Sequence, residues 1–272
     1  MKKLAIALIL VVAASAFAQR QQGFNLGGFG GIRSNGCLIP GTQRSWRDDG
    51  PEARRMDRSG FIYGRLRYNV RPGWRGDIPW HHDYPDGDTM LPDALERLTE
   101  VHTTRESYQI VDIDSKELFK YPFVYLSEAG FLDLHPDDVK NLRQYLDRGG
   151  FVFVDDFRGN QTDMSEMDNF VVQLQKLYPG RSLKLLAPSH EIFHAFFDVD
   201  PTTMVPPYMM DNSGPAQYFG LMDDKDRLQI MVHFNNDASE YWQGLDIKQC
   251  SLQQSSTAVQ LGINYVVYAM TH

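Results

Sequence analysis

Apolar positions along the chain fall into two alternating rhythms. Residues 61–68 carry Phe61, Ile62, Leu66 and Tyr68 in a strand-like run, and residues 90–102 place Leu91, Leu95 and Leu98 at helical spacing. Residues 108–113 and 123–126 are short β-branched or apolar runs that suit strands buried on both faces. The clearest predicted helix follows. Pro136 takes its first position, Asp137 and Asp138 lie in the first turn, Val139, Leu142, Tyr145 and Leu146 share a face, and Gly149 ends it. A strand at 151–154 leads to a helix opened by Ser165 and Asp168, with Met167, Phe170, Val171, Leu174 and Leu177 inward. Strands at 183–187 and 227–234 precede a closing helix with Ala258, Leu261, Gly262, Tyr265, Val266 and Ala269 on one face. Strand and helix in alternation predict a doubly wound α/β domain, a mostly parallel sheet with helices on both faces.

Two segments precede that pattern. Lys2-Lys3, an apolar run from Leu4 to Ala13 and Ala16-Phe17-Ala18 read as a secretory signal peptide over 1–18, cleaved near Ala18. The expected location is therefore periplasmic or extracellular, and no later segment is long and apolar enough to span a bilayer. Residues 19–58 combine Gly-Phe-Asn-Leu-Gly-Gly-Phe-Gly-Gly with an Arg/Asp/Pro stretch poor in aliphatic side chains, which reads as a flexible arm ahead of a single domain at 59–272. The arm holds seven arginines against four acidic residues, whereas residues 59–272 hold 18 basic against 31 acidic residues, a net charge of −13. So acidic a body repels phosphate, which argues against nucleic-acid binding. Cys37 and Cys250 are the only cysteines. Export would permit a bridge, and sequence leaves open whether they pair.

Ligands of doubly wound sheets bind outside the carboxyl ends of the strands. Those ends offer Glu128, Asp155 and Asp156 with Arg158 nearby, His190, and Asn235-Asn236-Asp237. Adjacent aspartates suit a polar ligand or a cation, although turn residues paired with Arg158 would look the same. His190-Glu191-Ile192-Phe193-His194 matches H-E-x-x-H, in which two histidines one helical turn apart hold zinc and the glutamate activates water. Pro188 and Pro201 leave little room for that helix, and Glu240, Asp237 or Asp83 would have to supply the third ligand. Trp80-His81-His82-Asp83-Tyr84-Pro85-Asp86-Gly87-Asp88 is a third polar cluster, read as a loop leading into a helix. The chain has no Gly-x-Ser-x-Gly elbow, no phosphate-binding glycine loop and no Cys-x-x-Cys.

From about Gly60 onward the chain resembles the domain-of-unknown-function family 4159. The resemblance rests on Phe61-Ile62-Tyr63-Gly64-Arg65-Leu66-Arg67-Tyr68, Asp83-Tyr84-Pro85, Tyr121-Pro122-Phe123-Val124-Tyr125, Leu142 to Leu146, Gly149-Gly150-Phe151, Asp155-Asp156, His190 with Ile192-Phe193, and Leu261-Gly262-Ile263-Asn264. It implies a flavodoxin-like fold close to class I glutamine amidotransferase-like domains, in exported or membrane-tethered proteins. Amidotransferases place a nucleophilic cysteine after the strand equivalent to 151–154, where this chain has Asp155-Asp156-Phe157, so cysteine-dependent amide chemistry is not expected.

The leading expectation is a non-catalytic binding or interaction module of the cell envelope. It needs no cofactor, and a polar ligand or envelope protein partner meets it at Glu128, Asp155, Asp156, Arg158 and His190, with Trp74, Trp80 or Trp242 offering a sugar face. The alternative is a zinc hydrolase using His190 and His194, with Glu191 as catalytic base. A scaffold acting through its arm is the third.

Overall fold

Short β-branched and aromatic runs form the strands, and the helices start and stop where the sequence supplies caps and glycines. The structure, a computed structural model, describes residues 32–34, 37, 60–76, 78–210, 213–245 and 250–272. The expected signal peptide, and the expected arm apart from 32–34 and 37, lie outside the described residues.

In chain order the elements are β1 (Ile32–Ser34), β2 (Tyr63–Arg67), α1 (Asp86–Leu98), β3 (Tyr108–Asp112), β4 (Phe123–Ser127), α2 (Pro136–Asp147), β5 (Phe151–Asp155), α3 (Ser165–Leu177), β6 (Lys184–Leu185), β7 (Tyr208–Met210), β8 (Gln217–Met222), β9 (Leu228–Phe234), α4 (Ala238–Gln243) and α5 (Leu252–Thr271), with short 3-10 turns between. The main sheet has the order β3-β2-β4-β5-β9-β8-β6. Its first five strands are parallel; β8 runs antiparallel to β9, and β6 antiparallel to β8. The parallel part has the order of a flavodoxin-like doubly wound domain, and the winding reverses between β2 and β4.

Both faces are covered. Tyr63, Tyr125, Phe153 and Met231 pack with Leu91, Trp242, Leu261 and Tyr265 of α1, α4 and α5. On the opposite face Leu66, Val124, Val152, Val154 and Ile230 pack with Leu142 and Leu146 of α2 and Phe170 and Leu174 of α3. Asp138 accepts the His135 amide at 2.9 Å to open α2, and Gly149, at φ +102°, leaves it. The helix expected at 90–102 begins at Asp86 instead, because the Pro85 turn feeds directly into it. Strand β8 and helix α4 escaped the sequence reading. In β8, Gly220 interrupts the β-forming run, and it is there because a Cβ would lie 2.5 Å from Leu228 Cδ1.

Within the segment expected as an arm, Ile32–Ser34 pairs antiparallel with β7, and Cys37 is buried and bonded to Cys250. At these residues the chain is held on the domain. Among the described residues no helix is long and apolar enough to cross a membrane.

Candidate functional site

The winding reversal places the candidate crevice of a doubly wound sheet at the carboxyl ends of β2, β4, β5 and β9, and Arg65 fixes one of its walls. That guanidinium is fully buried under α1. Nε and Nη2 bond Asp88 at 2.6 to 3.0 Å, Nη1 bonds the carbonyls of Trp80 and His82 at 3.0 and 2.9 Å, and the cation lies 4.7 Å from the Tyr125 ring centroid. The loop after β2 is thereby pinned over the sheet, delivering His82 and Asp83.

Each remaining strand adds acidic groups. The turn after β4 presents Glu128, whose amide bonds the Asp155 carbonyl at 3.0 Å while its own carbonyl accepts from Tyr68 Oη at 2.7 Å. Strand β5 ends at Asp155 and is followed by Asp156, and β9 leads through Asn235 to Asp237, the N-cap of α4, and then Glu240. The first turn of α3 brings Glu166, which accepts the Arg158 amide at 2.7 Å. Gly130 permits that approach, since a Cβ there would lie 2.4 Å from Glu166 Cβ.

These groups form one chain of contacts. His82 Nδ1 is 2.9 Å from Glu128 Oε1 and 3.5 Å from Asp156 Oδ2. Arg158 spans two carboxylates, with Nη1 2.9 Å from Asp156 and Nη2 3.0 Å from Asp237. Ser239 Oγ links Asp237 at 3.1 Å to Asp83 at 2.5 Å and accepts from Tyr125 Oη at 2.7 Å. Tyr208 Oη donates to Glu240 at 2.5 Å. Five non-glycine residues among those described have left-handed backbones, and four of them, Asp83, Glu128, Asp156 and Asn235, stand here with φ of 53° to 61°. Such conformations cost about 1–3 kcal/mol each and collect where function demands a set geometry.

Electrostatics separate the groups. Burial raises Asp83 to about 8, aided by the charges of Glu240 and Asp156, and raises Glu166 to about 7. Burial also lifts Glu128, Glu240 and, by a wide margin, Asp237. Asp156 alone moves down, because Arg158 and His82 outweigh its burial. His82 moves up to about 11: burial opposes its charge, but the hydrogen bonds to Asp156 and Glu128 prevail. Among the described residues, six carboxyl groups thus share two cations, and part of the set holds protons at neutrality. Among the described residues, two triads have ligand atoms within 4.8 Å of one another, His82–Glu128–Asp156 and Asp83–Asp156–Asp237, and these could hold a metal ion.

Of the residues expected at the site, Glu128, Asp156 and Arg158 come together. Asp155 does not join them. Its side chain lies behind them, accepting the amides of Ala238 and Ser239 at 2.7 and 3.1 Å, lying 3.4 Å from Tyr125 Oη and meeting His233 Nδ1 at 3.1 Å, so it anchors the start of α4. His190 is also elsewhere. Its charge environment comes from Glu191 and Asp226, in the turn before β9, while its Nδ1 accepts the Ile192 amide at 3.2 Å. The H-E-x-x-H segment is a three-residue 3-10 turn, Glu191–Phe193, rather than a helix. His194 is engaged by Asp198 at 2.6 Å and the Pro188 carbonyl at 2.9 Å, and Glu191 lies toward His272 at the end of α5. Asp83, Asp237 and Glu240, named as third ligands for that zinc site, belong instead to the crevice. Trp80 and Trp242 are buried; Trp74 is 41% exposed and lies 4.2 Å from the Phe131 ring.

His82, Asp83, Glu166 and Glu240 were not picked out as crevice residues. His82 and Asp83 follow β2 by many residues, and the buried Arg65 holds their loop back over its end. The available signal was Asp83-Tyr84-Pro85, one of the segments on which the family resemblance rests.

A family model described as Domain of unknown function (DUF4159) matches residues 63–270, a span that includes all the crevice residues. No curated protein matches the chain.

Proposed function

Given that the chain belongs to the DUF4159 family, we propose that it is an exported binding module whose crevice takes a polar ligand carrying positive charge, a divalent cation in the simplest case. The observation that carries this reading is the charge imbalance at the winding reversal. Among the described residues, six carboxyl groups gather around the two cations His82 and Arg158, and Asp83 and Glu166 are raised to about 8 and 7. A bound cation would replace the protons these groups hold and relieve their mutual repulsion. Export is supported by the basic, apolar and small-residue pattern of residues 1–18 and by the Cys37–Cys250 bridge. Of the tryptophans expected to offer a sugar face, Trp80 and Trp242 are buried, and Trp74 is half-exposed and packs on Phe131.

Calcium, manganese(II) and glucosamine, a cationic sugar, form a small panel for a thermal-shift assay on the mature chain and on Asp156→Asn. A rise in Tm with at least one of the three, removed by the substitution, supports the reading. No rise with any of them, or a rise that survives Asp156→Asn, contradicts it.

A further inference from the structure

The flank of the crevice at Glu240 is closed by a segment that the main sheet does not hold. Among the described residues, β7 pairs only with β1, in a separate two-stranded ribbon with Ile32 opposite Met210 and Ser34 opposite Tyr208. Two strands of three residues are marginal on their own. Three residues past β1, Cys37 is buried and bonded to Cys250, which immediately precedes Ser251, the N-cap of α5. The bond joins positions 213 residues apart, so it keeps β1 beside β7 at a local concentration the free chain could not approach. From β7, Tyr208 Oη reaches Glu240. The flanking stretch is tied independently of the bridge, with Tyr241 Oη on the Val205 carbonyl at 2.5 Å and Gln254 Oε1 on the Val205 amide at 2.8 Å. Among the described residues, the bridge therefore bears on the ribbon and, through β7, on the tyrosine bonded to Glu240.

We infer that Cys37–Cys250 is a redox-sensitive strap: oxidised, it holds β1 on β7 and Tyr208 on Glu240; reduced by a dithiol, it releases the ribbon and uncovers that edge of the crevice. The exchange is balanced, since the dithiol closes to its cyclic disulfide as the protein bond takes two electrons and two protons to give two thiols. The regulatory sense of the strap rests on the crevice being a ligand site. Its mechanical sense does not, and it can be read with no ligand present.

The test is hydrogen–deuterium exchange together with carbodiimide labelling of carboxylates, on the intact mature chain before and after dithiothreitol, with Cys37→Ser/Cys250→Ser and Tyr208→Phe beside it. Reduction and the double serine variant should lower amide protection at 32–34 and 208–210 by about tenfold or more, raise labelling of Glu240, and leave β4, β5 and β9 unchanged. Tyr208→Phe, with the bond intact, should raise Glu240 labelling while the ribbon stays protected. Unchanged protection and labelling after reduction would overturn the strap. So would a loss of protection spread through β4, β5 and β9, which would make the bond a staple of the whole domain.

Discussion

Arg65 with Asp88 and the crevice a few residues away are both collections of buried charge, built on opposite terms. At Arg65 one cation meets one carboxylate in a bidentate pair, two carbonyls take the Nη1 donors, and both side chains are fully enclosed. In the crevice, among the described residues, six carboxyl groups divide two cations, the backbone is left-handed at four positions, and His82 and Arg158 keep 28% and 21% of their side-chain surface exposed. The first arrangement is complete within the chain and positions a loop. The second carries an excess that protons or a ligand must balance.

The sharpest way to break the contrast is to disturb the complete pair. Arg65→Met strands Asp88 without a cation and frees the Trp80–His82 loop, and should cost about 3–5 kcal/mol in denaturant unfolding at any pH between 5 and 8. Arg158→Met removes one of two cations from a site with excess acid. It should cost about 2 kcal/mol at pH 8 and clearly less at pH 5, where more of the carboxyl groups are protonated.

Asp83→Asn should act in the other direction. A carboxyl group whose folded pKa is raised contributes stability that is complete below its unfolded value and is lost as pH rises through the folded one. For Asp83, raised from 3.8 to about 8, and Glu166, raised from 4.5 to about 7, that window runs from roughly pH 4 to pH 8. The native chain should therefore lose stability across it, and Asp83→Asn should be more stable by about 1–2 kcal/mol at pH 8 with little gain at pH 5. His82, raised to about 11, contributes stability that is complete below its ordinary 6.5 and lost only as pH rises toward 11, so it remains charged over most of this window. A stability profile flat from pH 5 to pH 8 would contradict the charge assignment. The smallest effect is expected from His190→Ala/His194→Ala, under about 1 kcal/mol in total and without change in cation response, since these side chains serve a local turn and an exposed Asp198 pair.

The same contrast separates what the sequence disclosed from what it did not. Periodicity and caps located the parallel strands and α1, α2, α3 and α5, because each buries a regular apolar face. Strand β8 was hidden by Gly220, and α4 by its length of six residues. At the site, Glu128, Asp156 and Arg158 were legible because they directly follow strands. Asp155, expected beside its neighbour, instead anchors the start of α4, because consecutive residues leaving a strand point to different sides and the left-handed backbone at Asp156 separates the pair further. The His190 motif misled because spacing on paper assumes a helix, and Pro188 with Pro201 leaves only a 3-10 turn. His82 and Glu166 reach the crevice through tertiary contacts, the Arg65 pin and the space left by Gly130, which no local pattern records.

The most direct test of the crevice as a proton-holding cation site is calorimetric titration of the mature chain with manganese(II) at pH 7, in two buffers of different ionisation enthalpy. The account predicts saturable binding that releases about one proton per ion, with both the binding and the release lost in Asp156→Asn. Binding without proton release, or no binding at millimolar ion, would contradict it.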